Sequence, residues 1–218
     1  MKIAVLVAFD EEIQPIVKAF HLKGPTPYEY TKQWRGDSFS LFETGIGKVN
    51  ASAVTQLVIL KEKPDLILNA GFCGGFKEKV SVGDAVIVSD VVQYDVDLTV
   101  FGLKIGALPG LEKPLLTLTV PNTHGHKYKI GTCVTGDRVL VDKKYGKWLY
   151  KQFKPSVIEM ELGSIAQICK LNYIKLVSLK VPTDIVENED VSSWKYNLDR
   201  CSKSMCDTFK KIIDVLIQ

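Results

Sequence analysis

The sequence predicts an α/β fold, and three observations predict it. Short runs rich in β-branched residues recur along the chain, stretches of helical apolar spacing alternate with them, and glycine, proline or acidic residues stand where the runs stop. The first run, Ile3 to Ala8, reads as a strand. "DEEIQPIVKAF" follows with acids at its start, as the positive end of a helix dipole favours, although Pro15 in its early turns should limit or shift the helix start. A strand around Ser40–Glu43 runs through "TGIG" into a helix whose apolar stripe is expected at Val49, Ala53, Leu57 and Leu60. "PDLILNAG" (64–71) is a buried-type strand that stops at a glycine cluster. "GDAVIVSDVVQYD" (83–95), "KYKIGTCVTGD" (127–137) and "YIKLVSLKV" (173–181) add three more strands. From Asn197 onward, Leu198, Cys201, Met205, Phe209, Ile212, Ile213 and Leu216 fall at helical spacing, which predicts a closing helix packed on the core. The alternation argues for one domain, residues 1–218, layered around a mostly parallel or mixed sheet.

Composition narrows the function classes. With 218 residues, 46% of them hydrophobic, and a formal net charge of +3, the chain can bury a core, which excludes fibrous and disordered classes. Lys and Arg are interleaved with nearly as many Asp and Glu, so the balance offers no patch for nucleic acid or a membrane surface. "MKIAVLVAFDEE" reads as a first strand and not as a signal peptide, and no apolar run reaches membrane-spanning length. Five cysteines without a CxxC pair fit a reducing compartment, so a cytoplasmic protein is expected. His124 and His126 form a lone HxH in a polar stretch; without further ligands this reads as loop, and no metal or other cofactor is called for.

Sheets of this kind bind ligands beyond the carboxyl ends of their strands. Four such ends carry polar or glycine-rich tails: "AFDEE", "NAGFCGGF", "EMELGS" and "VPTDIVE". Taken singly, each has a structural explanation as helix-dipole acids, a tight turn, a helix start or a cap after proline. Taken together, carboxylates at three separate ends can converge on one pocket, the arrangement that an acid and a base flanking a scissile bond require. In "EMELGS" composition alone leaves Glu159 and Glu161 equivalent.

Eight ordered segments carry a family resemblance: "AFDEE", "TGIGKVNA", "NAGFCGG", "VGDAVIVSD", "DVDLTVFGLKIGALPG", "VTGDRVL", "IEMELGSIAQIC" and "VPTD". They resemble, in order and approximate spacing, the bacterial methylthioadenosine/S-adenosylhomocysteine nucleosidases of the nucleoside phosphorylase superfamily. The resemblance extends from the first strand to about residue 186. It implies a central mixed β-sheet flanked by α-helices, a homodimer, and a hydrolase that cleaves the N-glycosidic bond of 5′-substituted adenosines to release adenine. Methylthioadenosine, S-adenosylhomocysteine, 5′-deoxyadenosine and aminofutalosine are the substrates to be weighed.

By the same resemblance Glu12 is the carboxylate that activates water, and Asp184 the acid that protonates the purine. Glu161 and the backbone of Met160 hold the ribose, the backbone around Val139 and Leu140 holds the purine edge, and Thr183 is a further substrate-binding residue. Chemistry favours these roles: the departing base must be relieved of negative charge, and a glutamate at the ribose hydroxyls stabilises the developing sugar cation. The resemblance lines a 5′ pocket with Phe9, Ile46, Leu98, Phe101, Leu103 and Pro109, of which Phe101 and Pro109 come from the other subunit. For Leu98 and Leu103 plain core packing competes. Phosphorolysis would need a cationic cradle, whereas the loop after the first strand offers Asp10, Glu11 and Glu12.

Four departures from the family pattern stand out. Phe72 occupies the place of a serine that helps to hold the catalytic water, and Lys180 that of an arginine; lysine donates as a point charge and phenylalanine not at all. Pro182 directly precedes Thr183-Asp184 and biases Val181 toward extended geometry. Residues 111–130 form a shorter segment than in relatives and read as strand where relatives have helix. A phosphorylase of the same fold, or a nucleoside-binding protein without efficient turnover, are the alternatives.

Overall fold

Ile3–Val7 form β1, buried at all five positions as befits a strand covered on both faces. The computed structural model to which this strand belongs describes residues 1–110, 114–122, 128–186 and 193–217. Helix α1 (Asp10–Phe20) starts at Asp10 and runs through Pro15, which neither limits nor shifts it. The proline deprives the carbonyl of Glu11 of its helical donor, and Glu11 is exposed, so water can replace the lost bond. Strands β2 (Lys23–Tyr28) and β3 (Thr31–Arg35) precede β4 (Phe39–Glu43). The first two are not marked in the sequence, because "KGPTPY" is exposed, proline-bearing and at the sheet's edge, where apolar patterning is not required.

Helix α2 (Lys48–Glu62) buries Ala51, Val54, Thr55, Val58 and Ile59. The expected stripe was one position off: Val49 and Leu60 are 80% and 64% exposed. Strand β5 (Leu66–Gly75) does not stop at the glycine cluster but passes through it. These glycines are places of close approach, since a Cβ on Gly75 would lie 2.8 Å from Val80 and 3.0 Å from Pro182. β6 (Val86–Gln93), β7 (Leu116–Thr117) and β8 (Lys129–Thr135) follow, then α3 (Lys143–Phe153), β9 (Val157–Glu159), α4 (Leu162–Leu171) and β10 (Lys175–Ile185). The chain ends in α5 (Ser193–Tyr196) and α6 (Leu198–Leu216). Of the segment 111–130, Leu116–Thr117 do pair as a strand with β6, while 111–113 and 123–127, with His124 and His126, lie outside the described residues.

The sheet is mixed. On one side it runs β2-β3-β4-β1-β5; from β5 it continues through both β9 and β10, and β9-β8-β6-β10 returns to β5, so five strands close a ring. Two apolar clusters flank it. Ile13 and Ile16 of α1 and Cys201, Met205, Phe209, Ile212 and Ile213 of α6 pack on one face with β1, β5 and β10, as the spacing of the tail predicts. Residues of α2 and α4 pack on the other. Among the described residues no helix is long and apolar enough to cross a membrane.

The functional consequence lies at the edge of β5. β1 pairs with β5 only as far as Leu6–Asn69, and β9 joins it only at Gly74 and Gly75. Between them the edge from Ala70 to Cys73 has no strand partner on that side, and that gap is where side chains gather.

Candidate active site

The first residue in the gap is Glu12. Because α1 begins immediately beyond β1, its first turn brings Glu12 back to the open edge, where Oε1 accepts from the Phe72 N–H at 2.6 Å and Oε2 from the Ala8 N–H at 3.1 Å. The carboxyl thus takes over backbone donors that a longer β1 would have satisfied. It needs Gly71: a Cβ there would lie 2.6 Å from Oε1. Burial pushes the Glu12 pKa up to about 8, against the charge of Lys180 and the two N–H donors, which pull it down.

Strand β9 delivers the next group. Glu161 caps α4 and its Oε1 accepts from the Gly47 N–H at 2.7 Å. Gly47 has φ +91°, a left-handed conformation that glycine adopts without strain, and this turn aims its N–H across to the carboxyl. Burial, then the charge of Glu159, raises the Glu161 pKa to about 7.

Glu159 is separated from Glu161 by its surroundings. It sits inside the five-strand ring, where Oε2 accepts from the Glu161 and Leu162 N–H groups at 3.0 and 2.7 Å and Oε1 from the Thr135 hydroxyl. Lys180 Nζ lies 3.1 Å from Oε2, with side-chain exposures of 2% for Lys180 and 3% for Glu159. Burial disfavours the charge on Lys180, but Glu159, Glu161 and Glu12 together outweigh it and raise the pKa.

The fourth group arrives through an irregularity. β10 follows β5 residue for residue to Pro182–Cys73, after which the register slips and Asp184 pairs with Gly74. The extra residue, Thr183, is a bulge that re-aims the next side chain. Pro182 is tolerated there because β6 pairs with β10 only at Leu179 and Lys180. Burial raises the Asp184 pKa, opposed by the Thr183 hydroxyl, which donates to Oδ1 at 3.1 Å.

These groups border one cavity of ≈ 640 Å³. Of the residues expected from the sequence, Phe9, Glu12, Ile46, Phe72, Val139, Leu140, Met160, Glu161, Thr183 and Asp184 line it. Phe72 faces the cavity and also packs in the core beneath α1 and α6. Lys180 does not line the wall; it lies fully buried beneath, inside the ring. Leu98, Phe101, Leu103 and Pro109 do not line this chain's cavity either: they occupy an excursion after β6, with Phe101 78% exposed and Leu103 40% exposed. Neither leucine is in the buried core, so the packing alternative does not describe them.

Sequence reasoning missed Arg138, Trp194 and Glu11, which share the wall. Glu11 and Arg138 adjoin residues that were singled out, so their neighbourhood was the available signal. Trp194 lies in a stretch without periodicity, and nothing in the sequence marks it. Among the described residues no cluster of three or more His, Cys, Asp or Glu could hold a metal ion.

The family model of the phosphorylase superfamily matches residues 2–214. A 5′-methylthioadenosine/S-adenosylhomocysteine nucleosidase of Buchnera aphidicola is 31% identical over 100% of this chain and 99% of its own length. That of Bacillus subtilis is 32% identical over 98% of each. The chain belongs to this nucleosidase family. Two solved structures from Helicobacter pylori share the fold at TM-score 0.90 and 24% identity, each over 98% of this chain. One is a nucleosidase of the same name, holding a pyrrolopyrimidine-bearing ligand and covered over 98% of its length; the other is a futalosine hydrolase, covered over 97%. The family accounts for the shared architecture; in this chain Phe72 and Trp194 line the cavity and Lys180 lies buried beneath it.

Proposed function

We propose that this chain is an N-glycosyl hydrolase that releases adenine from 5′-substituted adenosines, with water as nucleophile. The observation that carries the reading is the convergence of Glu12, Glu161 and Asp184, from three separate strand ends, on one largely apolar cavity. Asp184, whose pKa burial raises, is the acid that protonates the purine as the bond breaks. Glu161, fixed by Gly47, accepts from the ribose hydroxyls and opposes the charge that grows on the sugar. Glu12, with a pKa near neutrality, is suited to take a proton from the attacking water.

Charge argues against phosphate as the nucleophile. Glu11, Glu12, Glu159, Glu161 and Asp184 line the cavity, and Arg138 is the one cation among its described lining residues. A phosphate dianion would lack the cationic cradle that phosphorolysis needs. The apolar side formed by Phe9, Ile46 and Met160 suits a thioether or a 5′-deoxy group, which supports methylthioadenosine, S-adenosylhomocysteine and 5′-deoxyadenosine as substrates, while aminofutalosine rests on the family resemblance alone. The exposed Phe101 and Pro109 complete the 5′ pocket of a second copy in a cytoplasmic homodimer; exposed apolar rings of this kind favour a partner surface.

Phe72 supports a second reading, that of a binding protein with little turnover, because its ring stands on the wall and cannot hold a water by donation. Adenine release from methylthioadenosine, assayed with and without phosphate, separates the possibilities. Equal release in both supports the hydrolase; phosphate-dependent release removes it; calorimetric binding without release favours the second reading.

A further inference from the structure

Lys180 is surrounded by acids from separate elements: Glu159 from β9, Glu161 from the N-terminus of α4 and Glu12 from α1, with the Cys73 and Cys133 thiols from β5 and β8. Its charge has one direct partner in the ring, Glu159, at 3.1 Å. Every contact of Glu159 is with a donor: two backbone N–H groups, the Thr135 hydroxyl, the Cys133 thiol at 3.7 Å and Lys180. That arrangement suits a carboxylate and leaves it fully engaged. Glu12 and Glu161 touch the lysine only through space, and each is backed by backbone N–H groups instead.

We propose that Glu159 is a positioning residue of the hydrolase: by engaging Lys180 inside the ring, it withholds that charge from Glu12 and Glu161 and so governs when these two cavity carboxyls release their protons. The inference rests on the hydrolase reading for its catalytic meaning, and on the geometry of the pair for its electrostatics. A lysine freed from Glu159 would be shared between Glu12 and Glu161, favouring their charged forms; a base that never holds a proton is a weaker base. Glu159 borders the cavity, but both its oxygens are engaged by donors of the protein, so it acts through Lys180 and not on the substrate.

The test is the titration of Glu12 and Glu161 in unliganded protein, followed by carbon NMR of carboxyl-labelled glutamate. Glu159→Gln keeps the size of the side chain and an acceptor for Thr135, and should move both midpoints about one pH unit lower. Lys180→Met should move them about one pH unit or more higher. Because Glu159 also repels Glu161 directly, Glu12 decides the outcome: a Glu159→Gln protein with an unmoved Glu12 midpoint overturns the proposal and reduces Glu159 to a structural cap. If Glu159→Gln does not fold, Glu159→Asp replaces it, whose shorter side chain draws the carboxylate back from Lys180; the Glu12 midpoint should again fall, and an unmoved one overturns the proposal. Because NMR needs no turnover, a failure of adenine release by the unaltered chain counts against the hydrolase reading and leaves this result standing. In an active enzyme, the pH–rate profile of Glu159→Gln should shift in the same direction as the midpoints.

Discussion

Gly71→Ala adds a single methyl group and should disable the water-activating carboxyl without touching the rest of the cavity. The new Cβ would lie 2.6 Å from Glu12 Oε1 and 3.0 Å from its Cδ, whereas ordinary contact begins at 3.4 Å, so the carboxyl must retreat by about 0.8 Å. In retreating it loses the Phe72 N–H, now at 2.6 Å, and strains the Ala8 N–H, now at 3.1 Å. An orphaned buried N–H costs about 1–3 kcal/mol, which would appear as lost stability in denaturant unfolding. A displacement of about 1 Å at a reacting group costs roughly 100-fold in rate, or about 2.7 kcal/mol of transition-state stabilisation. Steady-state adenine release should therefore show kcat down about 100-fold with KM little changed, since Glu161 and Asp184 keep their places. Gly71→Ala with unaltered kcat and unaltered stability would refute the assignment of Glu12 to this gap.

Asp184→Asn removes the transferable proton and should lower kcat by about 100- to 10,000-fold while calorimetric affinity for methylthioadenosine persists; near-normal kcat would sink the acid role. Trp194→Ala should weaken nucleoside binding by about tenfold through lost apolar contact, and an unaltered dissociation constant would remove Trp194 from the ligand's surroundings. Folding should also be linked to pH: Glu12 and Glu161 are raised from 4.5 to about 8 and about 7, so the folded chain binds more protons than the unfolded one. Their contribution is complete below about pH 4.5 and is lost as pH rises toward 8. Denaturant unfolding across that range should show a flatter decline in Glu12→Gln than in the unaltered chain, and identical slopes would contradict the raised Glu12 pKa.

The layered fold was legible because it rests on continuous apolar runs such as Ile3–Val7, buried on both faces, and on the period of 3.6 that the tail from Leu198 follows closely. The edge strand of Lys23–Tyr28 was not, because nothing at an edge forces its side chains inward. The stripe of α2 was misplaced since apolar residues surround that helix: Val49 and Leu60 are as hydrophobic as the Val54 and Val58 that are buried. Continuation of β5 through "GFCGG" was hidden for another reason. Glycine reads locally as a breaker, and only a neighbour arriving from far along the chain, Glu12 or Pro182, makes it necessary. The same holds for the site. Strand ends disclosed where carboxylates would gather, whereas the closure of five strands into a ring, which buries Lys180 against Glu159 instead of exposing it to the cavity, depends on pairings of β9 and β10 that no local pattern encodes.

The central claim is that water attacks the sugar carbon as adenine departs. A single turnover of methylthioadenosine in water enriched in heavy oxygen, analysed by mass spectrometry, tests it directly. The account predicts one heavy oxygen in the released methylthioribose and none in adenine, irrespective of added phosphate. A sugar phosphate product, or an intact nucleoside recovered from the folded, ligand-bound protein, would contradict it.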